Sequence, residues 1–148
     1  MKKILLLSLS SIFMTLTLQA TDLIVKTGKL SVDNTIAKIK NMIDHKDGLG
    51  VFTIIDHKKN ALNISMDMHE TQVIIFGNPR MGTKIMEQDP LAALDLPLKI
   101  LVYSENNMTK IVYRDPQKWR KNFNLDKCTL IDRMSGALNT ITTKASEK

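Results

Sequence analysis

Apolar residues recur at two spacings along the chain, and the changes of spacing mark its elements. Leu23 and Val25, with Leu30 beyond them, predict a first strand over 23–30. Ser31 then offers an N-cap. Val32, Ile36, Ile39 and Ile43 follow at steps of four, three and four, which places them on one face of a helix. Gly48 supplies a left-handed stop. The β-branched and aromatic run VFTII at 51–55 reads as a buried strand. Asp56 can cap a short helix over 57–64, with Ala61 and either Leu62 or Ile64 turned inward. Met66 and Met68 lie on a looser approach to a strand over 72–76. Strand, short helix and strand in this order predict a right-handed crossover between parallel neighbours.

The densest patterning lies between 74 and 103, and the rest of the chain is organised around it. Gly77-Asn78-Pro79 ends the strand, because proline lacks an N–H and holds the residue before it extended. Gly82-Thr83 predicts a second turn, with Thr83 capping a short helix that begins at Lys84. Asp89-Pro90 starts a further short helix, and Asp95-Leu96-Pro97 ends it. The stretch 98–103 is apolar at nearly every position, which predicts a central strand covered on both faces. Asn106-Asn107 makes a turn, and 111–113 returns antiparallel. Asp115-Pro116 opens a short helix in which Trp119 and Phe123 stack four apart. A last helix over about 128–144 carries the stripe Leu130, Met134, Leu138 and Ile141. Gly136 inside it costs about 1 kcal/mol relative to alanine, a cost read as the requirement of close packing on the sheet. A polar tail, 142–148, follows.

Residues 1–20 stand apart from this pattern. Lys2 and Lys3 precede an apolar run broken by serines and threonines, which ends at Leu18-Gln19-Ala20. This is the form of a cleaved secretory leader, shorter and more polar than a spanning helix. The expectation is a periplasmic or secreted protein, with no membrane span after cleavage. Loss of those twenty residues and their two lysines would leave 128 of the 148 residues as one domain, 21–148, and lower the net charge from +6 to +4. The lysines, among them Lys26 and Lys38, are scattered without interleaved aromatics, so they read as a solvated surface and not as a nucleic-acid site. Cys128 is the sole cysteine. It excludes a disulfide within the chain and reads as a small buried hydrophobe.

Several chemistries can be set aside. The segment from Gly77 to Lys84 has the glycine spacing of a phosphate-binding loop, but Thr83-Lys84 reverses the order that loop requires. His45, His57 and His69 show no ligand spacing. Met66 and Met68 beside His69 are more simply core fillers, and no metal or other cofactor is expected. What remains is a set of polar residues at strand ends and helix starts. Strand ends in a layered sheet converge on an edge where ligand crevices form, which predicts a polar cleft of Asp56, His57, Asn78, Thr83 and Asp95. His57 can carry a proton near neutral pH with a carboxylate orienting it, or it can simply donate to a carbonyl. Asp56 and Asp95 can equally serve as turn locks. Arg80, Gly82 and Lys84, with the N–H groups at a Thr83 cap, offer a place for a small anion.

Taken as a set, Asp56-His57, Phe76-Gly77-Asn78-Pro79, Gly82-Thr83 and Asp95-Leu96-Pro97 occur in an order and spacing that resemble the domain of unknown function 302 family, across most of the chain after the leader. The resemblance implies a compact α+β domain that pairs as a homodimer. It implies no catalytic roles, because the family has no agreed activity. The expected architecture is two-layered: a mixed sheet of four or five strands with helices mainly on one face. The leading functional expectation is a binding module for a small molecule or anion in the cell envelope. The alternatives are a small hydrolase or isomerase using His57 with Asp56 or Asp95, and a dimer whose surface is its function.

Overall fold

Alternation along the first strand sets the two sides of the molecule. In a computed structural model that describes residues 22–148, β1 (Leu23–Gly28) points Ile24 and Lys26 toward the helices, and Leu23 and Val25 away from them. The leader reading over 1–20 lies outside the described residues. Helix α1 (Val32–Asp44) begins at Ser31, whose hydroxyl accepts from the Asn34 N–H, and buries the predicted stripe of Val32, Ile36, Ile39 and Ile43. The remaining elements are β2 (Gly50–Asp56), α2 (His57–Leu62), β3 (Thr71–Gly77), α3 (Pro79–Met86), a 3-10 turn (Pro90–Leu94), β4 (Leu98–Glu105), β5 (Met108–Arg114), a second 3-10 turn (Pro116–Lys118), α4 (Trp119–Asn122) and α5 (Thr129–Ser146).

The fold is α+β, with one five-stranded sheet in the order β1-β5-β4-β3-β2 and helices packed on one side. The sheet is antiparallel at every pairing instead of mixed. Strands β2 to β5 run up and down in chain order, and β1 adds beside β5. Helix α1 therefore carries the chain from one edge of the sheet to the other. The expected parallel crossover between β2 and β3 is an antiparallel connection, with Ile54 opposite Ile74. A run as short as VFTII reads the same in either direction, and only the pairing decides it.

The core lies between sheet and helices: Ile74, Phe76, Ile100, Val102 and Ile111 against α1 and α5. Beneath the sheet no helix of the described residues packs. Across that face Val25, Val112, Leu101, Val73 and Ile55 form one continuous row, each opposite the next. Strand β4 is thus central, as expected, but layered on one face only. Its apolar run reflects this aliphatic row and not a second helical layer. The strand read as buried at 51–55 is the edge strand β2, where Phe52 is 54% exposed. Leu62 and Ile64, one or the other of which is expected to turn inward, are both exposed on and after α2.

Further differences concern Lys26 and the last helix. Lys26 is not a free surface lysine. It faces α5 and donates to the Asn139 carbonyl (3.0 Å), to Asn139 Oδ1 (2.8 Å) and to the Thr143 hydroxyl, and burial lowers its pKa. The tail expected from 142 onward is the last turn of α5, with Thr142 and Ala145 buried. Ile131, not Leu130, heads the buried stripe of that helix. Trp119 and Phe123 meet edge to face, as their spacing predicts, with ring centroids 6.5 Å apart. Gly136 has no packing role: a Cβ there would meet nothing within 4 Å. Gly136→Ala should therefore stabilise the domain by about 1 kcal/mol, read as a higher midpoint in chemical denaturation.

Candidate functional site

The antiparallel pairing decides where the predicted site residues go. In a parallel sheet the C-terminal ends of β2 and β3 would share an edge. Here Gly50 lies opposite Gly77, and Asp56 lies opposite Gln72. Asp56 and His57 thus stand at one end of the sheet, and Asn78 at the other. Six residue steps separate the two ends, roughly 20 Å of strand. The predicted cleft of Asp56, His57, Asn78, Thr83 and Asp95 is therefore not assembled as one site. Asp56 caps α2, accepting from the Lys59 N–H at 2.9 Å. His57 is exposed and has no carboxylate bound to it among the described residues. Asp95 closes the first 3-10 turn, and its carbonyl accepts from Lys99 Nζ at 3.1 Å. It borders a separate hollow of about 470 Å³ with Lys99, Arg114 and Trp119.

The Gly77 end of the sheet does form a cleft, of about 410 Å³. Its geometry begins with Asn78-Pro79. Asn78 stays extended, as a residue before proline must, and its Oδ1 accepts from the Met81 N–H at 3.1 Å. Pro79 then fills the first helical position, where its missing N–H costs nothing. Helix α3 thus begins at Pro79, five residues before the expected start at Lys84. Gly82 and Thr83 lie within it, so Thr83 is not a cap. The N–H groups expected to hold an anion at Thr83 belong to the helix interior. Arg80 and Lys84 are exposed on α3 and do not line the cleft.

Two backbone features on neighbouring elements complete the walls. Strand β2 carries a bulge between Val51 and Thr53, so Phe52 is the extra residue. A bulge re-aims its side chain, and the Phe52 ring turns against Gly77 to border the cleft. A Cβ on Gly77 would sit 3.3 Å from that ring. Gly48, at φ 74°, makes the left-handed turn that brings the α1–β2 loop against Asn78. From the far side, α5 contributes Arg133, Met134 and Ala137.

The floor and walls are apolar: Leu49, Phe76, Met81, Met86, Leu96 and Met134. Polar groups are few: Lys46, Asp47, Asn78, Thr83 and Arg133. Of the predicted site residues, the cleft gathers Asn78, Gly82 and Thr83. Sequence reasoning missed the others because α5 and the loop at 46–49 are far from 78 along the chain. The Asn-Pro pair was itself a legible helix-start signal. Among the described residues no three potential metal-ligating side chains come together.

The comparisons with known proteins can be set beside this geometry. Two curated relatives named Fluoride-specific ion channel FluC 1, from Brucella suis biovar 1 and Brucella abortus biovar 1, are each 30% identical over 120 residues. The match takes in 78% of this chain but only 45% and 42% of those proteins, so the chain spans less than half their length. A crystal structure of an uncharacterized conserved DUF302 protein from Bacillus stearothermophilus shares the fold. The TM-score is 0.66 at 16% identity, over 86% of this chain and 97% of that one. The family model for Domain of unknown function DUF302 matches residues 23–141, from the first strand into the last helix, and the chain belongs to that family.

Proposed function

We propose that this domain is a binding module for a small molecule, acting in the cell envelope. The observation that carries the reading is the cleft at the Gly77 end of the sheet, which combines apolar walls with a handful of polar groups at a size suited to small ligands. It lies at a closely packed turn, where Asn78 caps the helix that Pro79 begins, Gly48 packs against Asn78, and the bulged Phe52 packs against Gly77. The envelope assignment rests on the leader pattern at 1–20. No helix of the described residues is long and apolar enough to cross a membrane. Channel activity is the named property of the longer Brucella proteins. Apolar walls favour a larger guest than a bare fluoride ion, whose hydration shell they cannot replace. The acid–base alternative draws no support from the position of His57, which faces solvent without a carboxylate partner among the described residues.

Gly82 provides the test. It lines the cleft from within α3, and a Cβ there would meet only Leu96 Cδ1 at 3.9 Å. Gly82→Leu should fill the cleft while leaving the helix intact or firmer. The protein is exported from an expression host and examined by native mass spectrometry. A discrete extra mass is expected on the wild type, starting at Thr21, and is expected to vanish from Gly82→Leu at an unchanged or higher melting temperature. An adduct retained by Gly82→Leu would place the ligand elsewhere, and an adduct-free wild type would refute tight binding.

A further inference from the structure

The polar side chains of the cleft are mostly donors. Asn78 commits its Oδ1 to the Met81 N–H, so its amide is fixed in orientation and only its NH2 end is left to offer. That end lies beside Gly48, accepts nothing, and has no protein acceptor among the described residues. Lys46 and Arg133 border the same cleft from the loop after α1 and from α5. Neither has a carboxylate within ion-pair distance among the described residues. Asp47 is the one acid of the lining, and the Thr83 hydroxyl can donate or accept. Donors therefore outnumber acceptors, and the formal charge of the lining is positive. Everything else in the cleft is hydrocarbon or thioether. Three methionines, Met81, Met86 and Met134, give walls that can refit around guests of different outline.

A purely polar anion would leave the apolar walls wet, and a purely apolar guest would make no use of two cations and an amide at the rim. We infer that the cleft takes an amphiphilic monocarboxylate, its carboxylate at the rim with Lys46, Arg133 and the Asn78 amide, and its apolar body against Met81, Met86, Leu96 and Met134. This rests on the binding-module reading and gives it a ligand class. Lys46 and Arg133 are exposed and Asn78 is half-buried, so water screens the two cations, and the head group supplies selectivity while the walls supply most of the affinity.

The experiment compares probes with the same tail and different heads. Decanoate and decyltrimethylammonium below their micellar concentrations, and decanol below its solubility limit, are titrated into the exported protein by calorimetry, with acetate as the head alone. Decanoate is expected to bind about tenfold more tightly than decanol. Decyltrimethylammonium should bind more weakly than either, and acetate should give no heat. In the double variant Lys46→Met with Arg133→Met, whose sites are exposed and whose fold is checked by melting, the preference for decanoate over decanol should fall to about parity. Decanol binding as tightly as decanoate would overturn the assignment, as would a preference that survives the double variant. If no probe binds but the native spectrum still shows an adduct lost in Gly82→Leu, the ligand class is wrong and the cleft stands. If no probe binds and no adduct is present, both fall.

Discussion

Arg120→Ala should destabilise the domain by about 3 kcal/mol, a loss far above that of an ordinary surface arginine, because this side chain is only 21% exposed. All five N–H donors of this guanidinium have acceptors. Nε donates to Gln117 Oε1 at 3.2 Å. The two terminal nitrogens donate to the carbonyls of Leu125 (2.9 Å), Asp126 (2.6 Å) and Cys128 (3.1 Å), and to Asp132 at 3.0 Å. The segment from 123 to 128 has no regular structure of its own, yet it delivers Leu125 and Cys128 to the core. Arg120 is what replaces a hydrogen-bond ladder there. Lysine keeps the charge but not the planar fork, so Arg120→Lys should recover less than half of the loss. The Asp132 contact adds little, because that carboxylate is exposed. It does add a pH signature. A hydrogen bond from Gln117, then one from Arg120, hold Asp132 below the usual carboxylate range. A depressed folded-state pKa gives stability that is present above the unfolded value, near 4, and lost as pH falls through the folded value. Wild type should therefore lose this contribution only below about pH 4, and Arg120→Ala should show a shallower acid limb in urea denaturation followed against pH.

The second large effect is expected at Gly48, where Gly48→Ala should cost about 2 to 3 kcal/mol and remove the bound mass. Alanine at φ 74° is strained by roughly 1 to 2 kcal/mol. Its Cβ would also lie 2.6 Å from Asn78 Nδ2, so the amide must swing away and release the cap of α3, worth about another 1 kcal/mol. These two parts separate in a double-mutant cycle. Asn78→Ala alone should cost about 1 kcal/mol. In that background Gly48→Ala should cost only its backbone strain, so the two losses should add to more than the double variant shows. Strict additivity would mean that Gly48 and Asn78 do not determine each other's position.

Much of the fold is legible in the sequence because it depends on local spacing. The stripe on α1, the Asn106-Asn107 turn, the Asp89-Pro90 start and the Trp119–Phe123 pair all follow from distances of a few residues. What spacing does not carry is the direction of strand pairing. Reading β2 and β3 as parallel put His57 and Asn78 on one edge, and the antiparallel sheet sends them to opposite ends. Pro79 misleads for a related reason. The same missing N–H that ends a strand also suits a helix start, and only the Asn78 cap bond selects the second outcome. Arg133 and Met134 reach the cleft from a helix some fifty residues away, beyond the range of any local pattern.

The aliphatic row on the uncovered face bears on how the strands find their partners. In β3, Val73, Ile74, Ile75 and Phe76 are consecutive, and in β4 so are Ile100, Leu101 and Val102. A slip of one residue between such strands exchanges one apolar set for another, so burial alone distinguishes the alignments weakly. The alignment must then be counted from a fixed point. Asn106 and Asn107, at φ 50° and 59°, join Glu105 to Met108 in a two-residue connection of the left-handed kind that tight hairpins need. From that corner Ser104 meets Thr109, Val102 meets Ile111 and Leu101 meets Val112, so the alignment of the central β4–β5 pair is set by the turn. Two exposed asparagines thus act as the zero mark of the central hairpin, holding positional information that its apolar strands do not contain.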